Sequence, residues 1–368
     1  MNIVHVVEPF AGGIVAFLKS LVEDPSGDNH IIIHGERAHV VKLADAKKQL
    51  RSPRVKYIHW KSAQRSIHPI KDLKAFIELY KILKRLKKNQ SIDAVHMHSS
   101  KSGFIGRIVC QLLGIRNVIY TPNGAPFLVG QSAFSNFAYK KLEWFSSLFN
   151  GKVVCCSGSE LQAYQEAGIK AILINNGVPV CKDYTIDEAS QRALVNKQRK
   201  LRIVTSGRIL DQKDPGLFNA IATQLESHSD IEFIWIGYGP DAEKITARNF
   251  QITGWLTPEE ARNQVATGDV YMSTARFEGL PFAVLEALSL RKPVLLSDRV
   301  GNRDMIDHGK NGHLFNSVEE AIEKILFYNN NRELLAEMGK NSGNYCYAAF
   351  NIDTTRRLYR ELYASSKH

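Results

Sequence analysis

This sequence predicts an α/β protein of two doubly wound domains facing each other across a cleft. Three observations carry the prediction. The chain has 368 residues, enough for about two domains. Short apolar runs alternate with segments of helical period in both halves. The alternation lapses once, over 178–200, where "VPVCKDYTIDEASQRALVNKQRK" offers few periodic apolar positions and reads as a linker. The expected domains are therefore 1–180 and 181–368, with a last helix at about 350–364 that either finishes the second domain or crosses back to the first.

The elements follow in order. "NIVHVV" (2–7), "HIIIH" (30–34), "VKYIH" (55–59), "DAVHMH" (93–98), "NVIYT" (117–121) and "KVVCCS" (152–157) read as buried strands. Buried apolar strands separated by helices indicate a parallel sheet covered on both faces. "EPFAGGIVAFLKSL" sets Gly12 and Gly13 at the opening of a helix, where glycine lets the backbone approach a ligand closely. It is not the GxGxxG of a nicotinamide fold, which counts against a dehydrogenase. In the second half "RIVTSG" (202–207), "IEFIWIG" (231–237), "DVYMST" (269–274) and "PVLLSD" (293–298) repeat the pattern. Ligands of such sheets bind beyond the carboxyl ends of the strands, so the strand-end loops are where chemistry is expected.

Composition narrows the function. Hydrophobic residues make up 44% of the chain and charged residues 23%, so a sizeable core can form. No run approaches the roughly 20 apolar residues of a spanning helix, and "MNIVHVVEPF" reads as a strand rather than a signal peptide. The five cysteines (Cys110, Cys155, Cys156, Cys181 and Cys346) are odd in number and form no CxxC pair. That pattern fits a reducing cytoplasm and argues against disulfides or a zinc site. No paired carboxylates at a strand end and no His/Cys cluster call for a metal. The net charge is +11, and residues 1–180 carry the excess, with 24 Lys and Arg against 12 Asp and Glu. A basic face attracts nucleic acid, anionic lipid or a phosphorylated substrate. The helix at 71–88 sets Lys71, Lys74, Lys81, Lys84, Arg85, Lys87 and Lys88 around an apolar stripe of Leu73, Phe76, Tyr80 and Leu83. Such a helix is a solvated face or a contact for anionic lipid.

The segment "RFEGLPFAVLEAL" (276–288) carries two carboxylates, Glu278 and Glu286, at the ends of an otherwise apolar stretch. Pro281 suits the first position of a helix running to about Leu290. On one straight helix a spacing of eight would hold the carboxylates roughly 12 Å apart. A loop folded back over the helix start would bring both to one elongated ligand, beside the N–H groups of Phe282 and Ala283, a ready anion site. Alone, Glu278 reads equally as a cap and Glu286 as a solvated residue. A second loop, "GRILDQKDP" (207–215), adds Arg208 and Lys213 just past a strand end. Arginine binds phosphate in bidentate fashion and lysine supplies a point charge.

With these loops the chain resembles the family 4 retaining glycosyltransferases. "GRILDQKD", "IGYGPDAEKI" (236–245), "ITGWLTPEE" (252–260) and "RFEGLPFAVLEALSLRKPVLLSD" (276–298) follow that family's motifs in order. "DAVHMHSSKSGFIGR", "VIYTPNGAPF" and "VVCCSGSE…LINNGV" resemble it in the first half. The resemblance implies two Rossmann-like domains of the GT-B type and roles for single residues. Arg208 and Lys213 would bind the diphosphate of a nucleotide-sugar, a UDP-sugar by preference. Gly12 and Gly13 would close on the same group. Leu256 would pair the base through its backbone, and Glu286 would hold the ribose. Glu278 with the N–H groups of Phe282 and Ala283 would hold the sugar or distal phosphate, and Gly279 and Leu280 belong to the same donor-binding loop.

Asn123 stands where the family commonly has a histidine near the reacting carbon, so a base there is in doubt. His98, at another strand end, is a possible substitute or a structural residue. Ser99 and Lys101 in its loop would meet the acceptor or cap a helix. The resemblance thus implies a catalytic set of Glu278, Arg208, Lys213, Asn123 and His98, without metal or other cofactor. The implied partners are a nucleotide-diphosphate sugar and a lipid-linked saccharide in surface polysaccharide assembly, at the cytoplasmic face of the membrane. An epimerase or phosphorylase on the same fold is the competing enzyme reading, though no motif assigns the lysine a phosphorylase would use for pyridoxal phosphate. A nucleic-acid binder is the non-enzymatic one, but no recognition module supports it.

Overall fold

The computed structural model describes residues 1–35, 47–48, 50, 52–64, 68–129, 132–180 and 199–365. The linker expected at 178–200 and Cys181 fall largely or wholly outside them. The chain divides into two compact units, Met1–Asn176 with Ile352–His368, and Gly177–Asn351.

The first unit is a seven-stranded sheet of β1 (Asn2–Val7), β2 (Asn29–His34), β3 (Val55–His59), β4 (Ala94–His98), β5 (Val118–Thr121), β6 (Lys152–Cys155) and β7 (Ala171–Leu173). The strand order is β3-β2-β1-β4-β5-β6-β7, and the paired strands are parallel. The order reverses between β1 and β4, so the loops after those strands open a crevice, the place where such sheets bind ligands. The helices are α1 (Gly13–Val22), α2 (Pro69–Asn89), α3 (Ser100–Leu112), α4 (Ala133–Ser147) and α5 (Gly158–Glu166). Glycines at 103 and 106 seat α3 on the sheet: a Cβ at Gly103 would lie 2.4 Å from the Tyr120 ring, and one at Gly106 2.7 Å from Met97.

The two sheet faces differ. Val4, Val6, Ile31, Ile33, Val95 and Met97 belong to the main apolar core. The alternate positions carry His5, His30, His96 and His98, all buried. Register puts His96 opposite His5 and His98 opposite Val7. Phe17 of α1 meets the rings of His96 and His98 edge-on.

The second unit holds β8 (Leu201–Ser206), β9 (Ile231–Ile236), β10 (Phe250–Ile252), β11 (Val270–Ser273), β12 (Val294–Ser297) and β13 (Gly312–Phe315), in the order β10-β9-β8-β11-β12-β13. Its helices are α6 (Pro215–Gln224), α7 (Pro258–Thr267), α8 (Phe282–Ser289), α9 (Val318–Asn330) and α10 (Glu333–Ala349). The order reverses between β8 and β11, the strands that carry the two charged loops.

Of the two placements expected for the last helix, the chain takes the crossing back to the first unit, where Ile352–His368 groups with Met1–Asn176. The last helix, expected at about 350–364, is α11 (Ile352–Ala364), and it follows α10, which stops at Ala349. α11 packs with the first unit because its buried stripe finds partners there. The Tyr359 ring stacks on His96 at 5.3 Å, the Tyr363 hydroxyl lies 2.8 Å from His96 Nδ1, and Asn117 Nδ2 donates to the Tyr363 carbonyl at 2.7 Å.

Candidate functional site

In the second unit the loops after β8 and β11 are laced together. Thr274 Oγ1 donates to the Lys213 carbonyl at 2.7 Å. The Arg276 N–H donates to the Gln212 carbonyl at 2.9 Å, and Gln212 Nε2 donates to the Phe277 carbonyl at 3.2 Å. These bonds bring two predicted residues into contact: Lys213 Nζ lies 2.6 Å from Glu278 Oε1. Burial lowers the lysine's pKa, but the Glu278 charge, Tyr271 and the hydrogen bond outweigh it and hold the net value above the ordinary range. The ammonium therefore stays charged well beyond neutral pH.

Arg208 is half-buried and follows Gly207 at the end of β8. The loop after β9, which carried no predicted role, packs against the backbone on either side of it. A Cβ at Gly237 would stand 2.3 Å from the Gly207 carbonyl oxygen, and one at Gly239 2.0 Å from that of Ile209. Gly237 also has φ of 137°, which L side chains rarely adopt. Trp235 Nε1 donates to the Gly207 carbonyl at 2.9 Å. The repeated glycines of "GYG" were the available signal; Gln212, Thr274 and Trp235 left none.

Pro281 is the N-cap of α8, not its first residue. Its backbone is extended, and its carbonyl accepts from Val284 and Leu285. The N–H groups of Phe282 and Ala283 precede those first intrahelical bonds, so they belong to the open positive end of the helix. No side chain caps α8, so Glu278 serves as the partner of Lys213. Gly279 and Leu280 are buried between them, while Glu286 is exposed one turn into α8. Leu256 lies past β10, near Gly254, which bridges to Gly237.

In the first unit a cavity of about 730 Å³ opens at the carboxyl ends of β1, β4 and β5. Glu8, Ser99, Lys101 and Asn123 line it, with apolar walls from Phe76, Phe104 and Ile108. Ser99 Oγ donates to the Glu8 carbonyl at 2.5 Å and ties the two loops at the reversal point. Lys101 Nζ pairs with Asp72 Oδ1 at 2.6 Å. Ser99 and Asn123 have φ of 91° and 56°, strain of a kind that clusters at functional sites. Asn123 Nδ2 donates to the Thr121 carbonyl at 3.2 Å, and Glu160 Oε1 accepts from the Gly124 N–H at 2.8 Å. At one wall Glu143 is fully buried; Arg107 pairs with it at 3.5 Å and Tyr120 donates to it at 2.9 Å. Gly12 is the N-cap of α1 with φ of 57°, and a Cβ on Gly12 or Gly13 would meet open space. Conformation requires glycine at 12; crowding requires it at neither.

His98 does not line this cavity, which corrects its reading as a substitute base. Its ring is fully buried, with Nε2 3.0 Å from His5 Nδ1. The expectation of no histidine cluster is also corrected. Ring nitrogens of His5, His96 and His98 lie within 4.8 Å of one another. The parallel register brings His5 to His96 and His98, the latter 93 residues away, which spacing along the chain cannot show. They form a hydrogen-bonded network rather than an open site. His5 Nε2 continues to His30 Nδ1 at 3.0 Å, and the two nitrogens of His96 meet Tyr363 and Thr121, each at 2.8 Å.

Two family matches cover most of both units. Residues 186–344 match the glycosyl transferases group 1, and residues 34–157 match the glycosyl transferase 4-like family. The chain is a family 4 glycosyltransferase of the GT-B fold. This transferase is 27% identical over 320 residues to the UDP-Gal:alpha-D-GlcNAc-diphosphoundecaprenol alpha-1,3-galactosyltransferase of Escherichia coli, covering 81% of each chain. It is 23% identical over 357 residues to a 41.2 kDa protein of the cps region of Klebsiella pneumoniae, covering 93% of this chain and 95% of that one. Among solved structures, Anabaena HepE in complex with UDP and glucose shares the fold, with a TM-score of 0.75 at 15% identity over 99% of this chain and all of that one. The family does not favour the epimerase reading. Among the described residues, no helix of the transferase is long and apolar enough to cross a membrane.

Proposed function

We propose that the enzyme moves a hexose from a UDP-sugar to a hydroxyl of a lipid-linked saccharide, with retention at the sugar carbon and without a metal. The observation that carries this reading is the meeting of Lys213, Glu278 and the open start of α8 at the sheet's reversal point, with Arg208 on the adjoining loop. Charge develops on the leaving diphosphate as the bond from sugar carbon to phosphate oxygen breaks. Arg208, Lys213 and the Phe282 and Ala283 N–H groups are fixed, positive partners for it. The acceptor oxygen bonds to the sugar carbon, and its proton passes to the departing phosphate oxygen, so no protein base is required. Glu278 takes sugar hydroxyls, Glu286 the ribose and the Leu256 backbone the base, with Gly279 and Leu280 shaping the loop. In the first unit Gly12 and Gly13 serve the donor, Asn123 the sugar, and Ser99 and Lys101 the acceptor. The acceptor class is supported by the Escherichia coli relative and by a cavity whose mixed polar and apolar lining suits a sugar joined to lipid. Work on such an acceptor would take place at the cytoplasmic face of the membrane.

The test is a transfer assay with UDP-galactose, UDP-glucose and UDP-N-acetylglucosamine against a short-chain lipid diphosphate sugar. Acceptor-dependent release of UDP with one donor, and an α-linked product by NMR, is the expected result. Conversion of a UDP-sugar without acceptor, an inverted product, or loss of activity on metal chelation would contradict the corresponding part.

A further inference from the structure

α4 is amphipathic in the reverse sense. Its inward face is polar: Glu143 and Ser146 are buried, where Arg107 pairs with the first and bonds the second. Its outward face is apolar. Phe134 is 81% exposed, Phe137 59% and Leu148, just past the helix, 63%, with Trp144 and Phe145 also exposed. At 100° per residue these five fall within about a third of the helix circumference. Soluble surfaces rarely carry so many large apolar groups together without a partner.

We propose that this face seats the enzyme on an anionic lipid bilayer. Three observations choose the bilayer as occupant. Lys141 lies within the same stripe, its Nζ 5.4 Å from the centre of the Phe137 ring. Aromatic rings with interspersed lysine suit the headgroup region, where rings bury and ammonium groups meet phosphate. Across the cavity, α2 repeats the arrangement with Ile70, Leu73 and Ile77 exposed among its lysines. A second copy of so basic a surface would be repelled, whereas anionic lipid is attracted. Finally, Leu73 and Leu142 are at once exposed and part of the cavity wall. An apolar path therefore leads from the docked surface into the cavity. The choice of occupant deepens the lipid-linked acceptor reading and rests on it.

The experiment is flotation of the full chain with vesicles of phosphatidylcholine, alone or with about 30% phosphatidylglycerol. Wild type is compared with F134S/F137S/W144S and with a Lys-to-Glu set at Lys74, Lys81 and Lys84. The apolar variant is expected to bind anionic vesicles about tenfold more weakly, with unchanged Tm and unchanged transfer to an acceptor soluble without detergent. The charge variant is expected to lose the preference for anionic vesicles. Equal binding by wild type and the apolar variant would overturn the proposal. So would a wild-type dimer that the variant converts to monomer, which would make the face a self-interface. Flotation reads docking without turnover. Loss of the acceptor reading would instead appear as absent transfer by wild type whose vesicle binding is intact.

Discussion

Lys213 keeps its proton against the effect of burial because Glu278 lies 2.6 Å away. The pair fixes the ammonium before any ligand arrives, so little reorganisation is left for the reaction step. Lys213→Ala and Arg208→Ala are each expected to lower kcat by about 10²–10³. Asn123→Ala should cost far less, since the Asn123 amide bonds the Thr121 carbonyl and holds a left-handed turn. Initial rates at saturating donor and acceptor check this; equal losses in all three variants would contradict the assigned roles. Arg107 makes a different prediction. It is buried with its charge against Glu143 and its guanidinium 4.5 Å from the centre of the Tyr120 ring. Arg107→Ala leaves Glu143 without its cation and should cost about 3–5 kcal/mol of stability, measured by urea unfolding.

At the scale of elements, the site is a property of loops held by their neighbours. Gly237→Ala would press a methyl group on the Gly207 carbonyl in a backbone region closed to alanine. The expected outcome is a loss of about 1–3 kcal/mol in stability together with weaker nucleotide binding, since Arg208 rides on the displaced loop. Thermal unfolding and calorimetry on the same variant read the two effects. The strands that place these loops were legible because β1, β4, β8 and β11 are apolar runs bounded by turn residues. β7, β10 and β13 were not. They are three or four residues long, and "AIL", "FQI" and "GHLF" carry too little pattern to separate from loop. Lys213 and Glu278 could be read as separate candidates from their strand ends, but their contact could not. It depends on hydrogen bonds through Gln212 and Thr274, residues with no distinctive spacing. His98 stayed open between two readings for the opposite reason: a histidine closing a strand reads as a site residue or a structural one, and alternation turns this one into the buried sheet face opposite the apolar core.

For the whole molecule, the histidine network sets a pH dependence. Burial, with His98 and His30 adding, holds His5 well below its ordinary pKa of 6.5, and burial with neighbouring rings does the same for His96 and His98. Burial takes His30 to about 4 despite Asp28 and Asp24. These groups take up protons in the unfolded chain near 6.5 but not in the fold, so stability is full above that pH and falls below it. Each adds to the loss as the pH falls below 6.5, until its folded value is reached. Urea unfolding at about pH 7.5 and about pH 5.5 should therefore give a higher midpoint, and a free energy larger by several kcal/mol, at the higher pH. Equal midpoints would mean that the fold accommodates imidazolium. The proposed reaction requires that the second unit hold a nucleotide diphosphate on Arg208, Lys213 and the start of α8. Calorimetric titration of UDP, GDP, ADP and CMP into the wild type and into Arg208→Ala tests it most directly. UDP is expected to bind most tightly and the substitution to weaken it by about ten- to a hundredfold, with CMP, lacking the second phosphate, bound poorly. Absence of binding by every nucleotide, or UDP affinity unchanged in the variant, would contradict it.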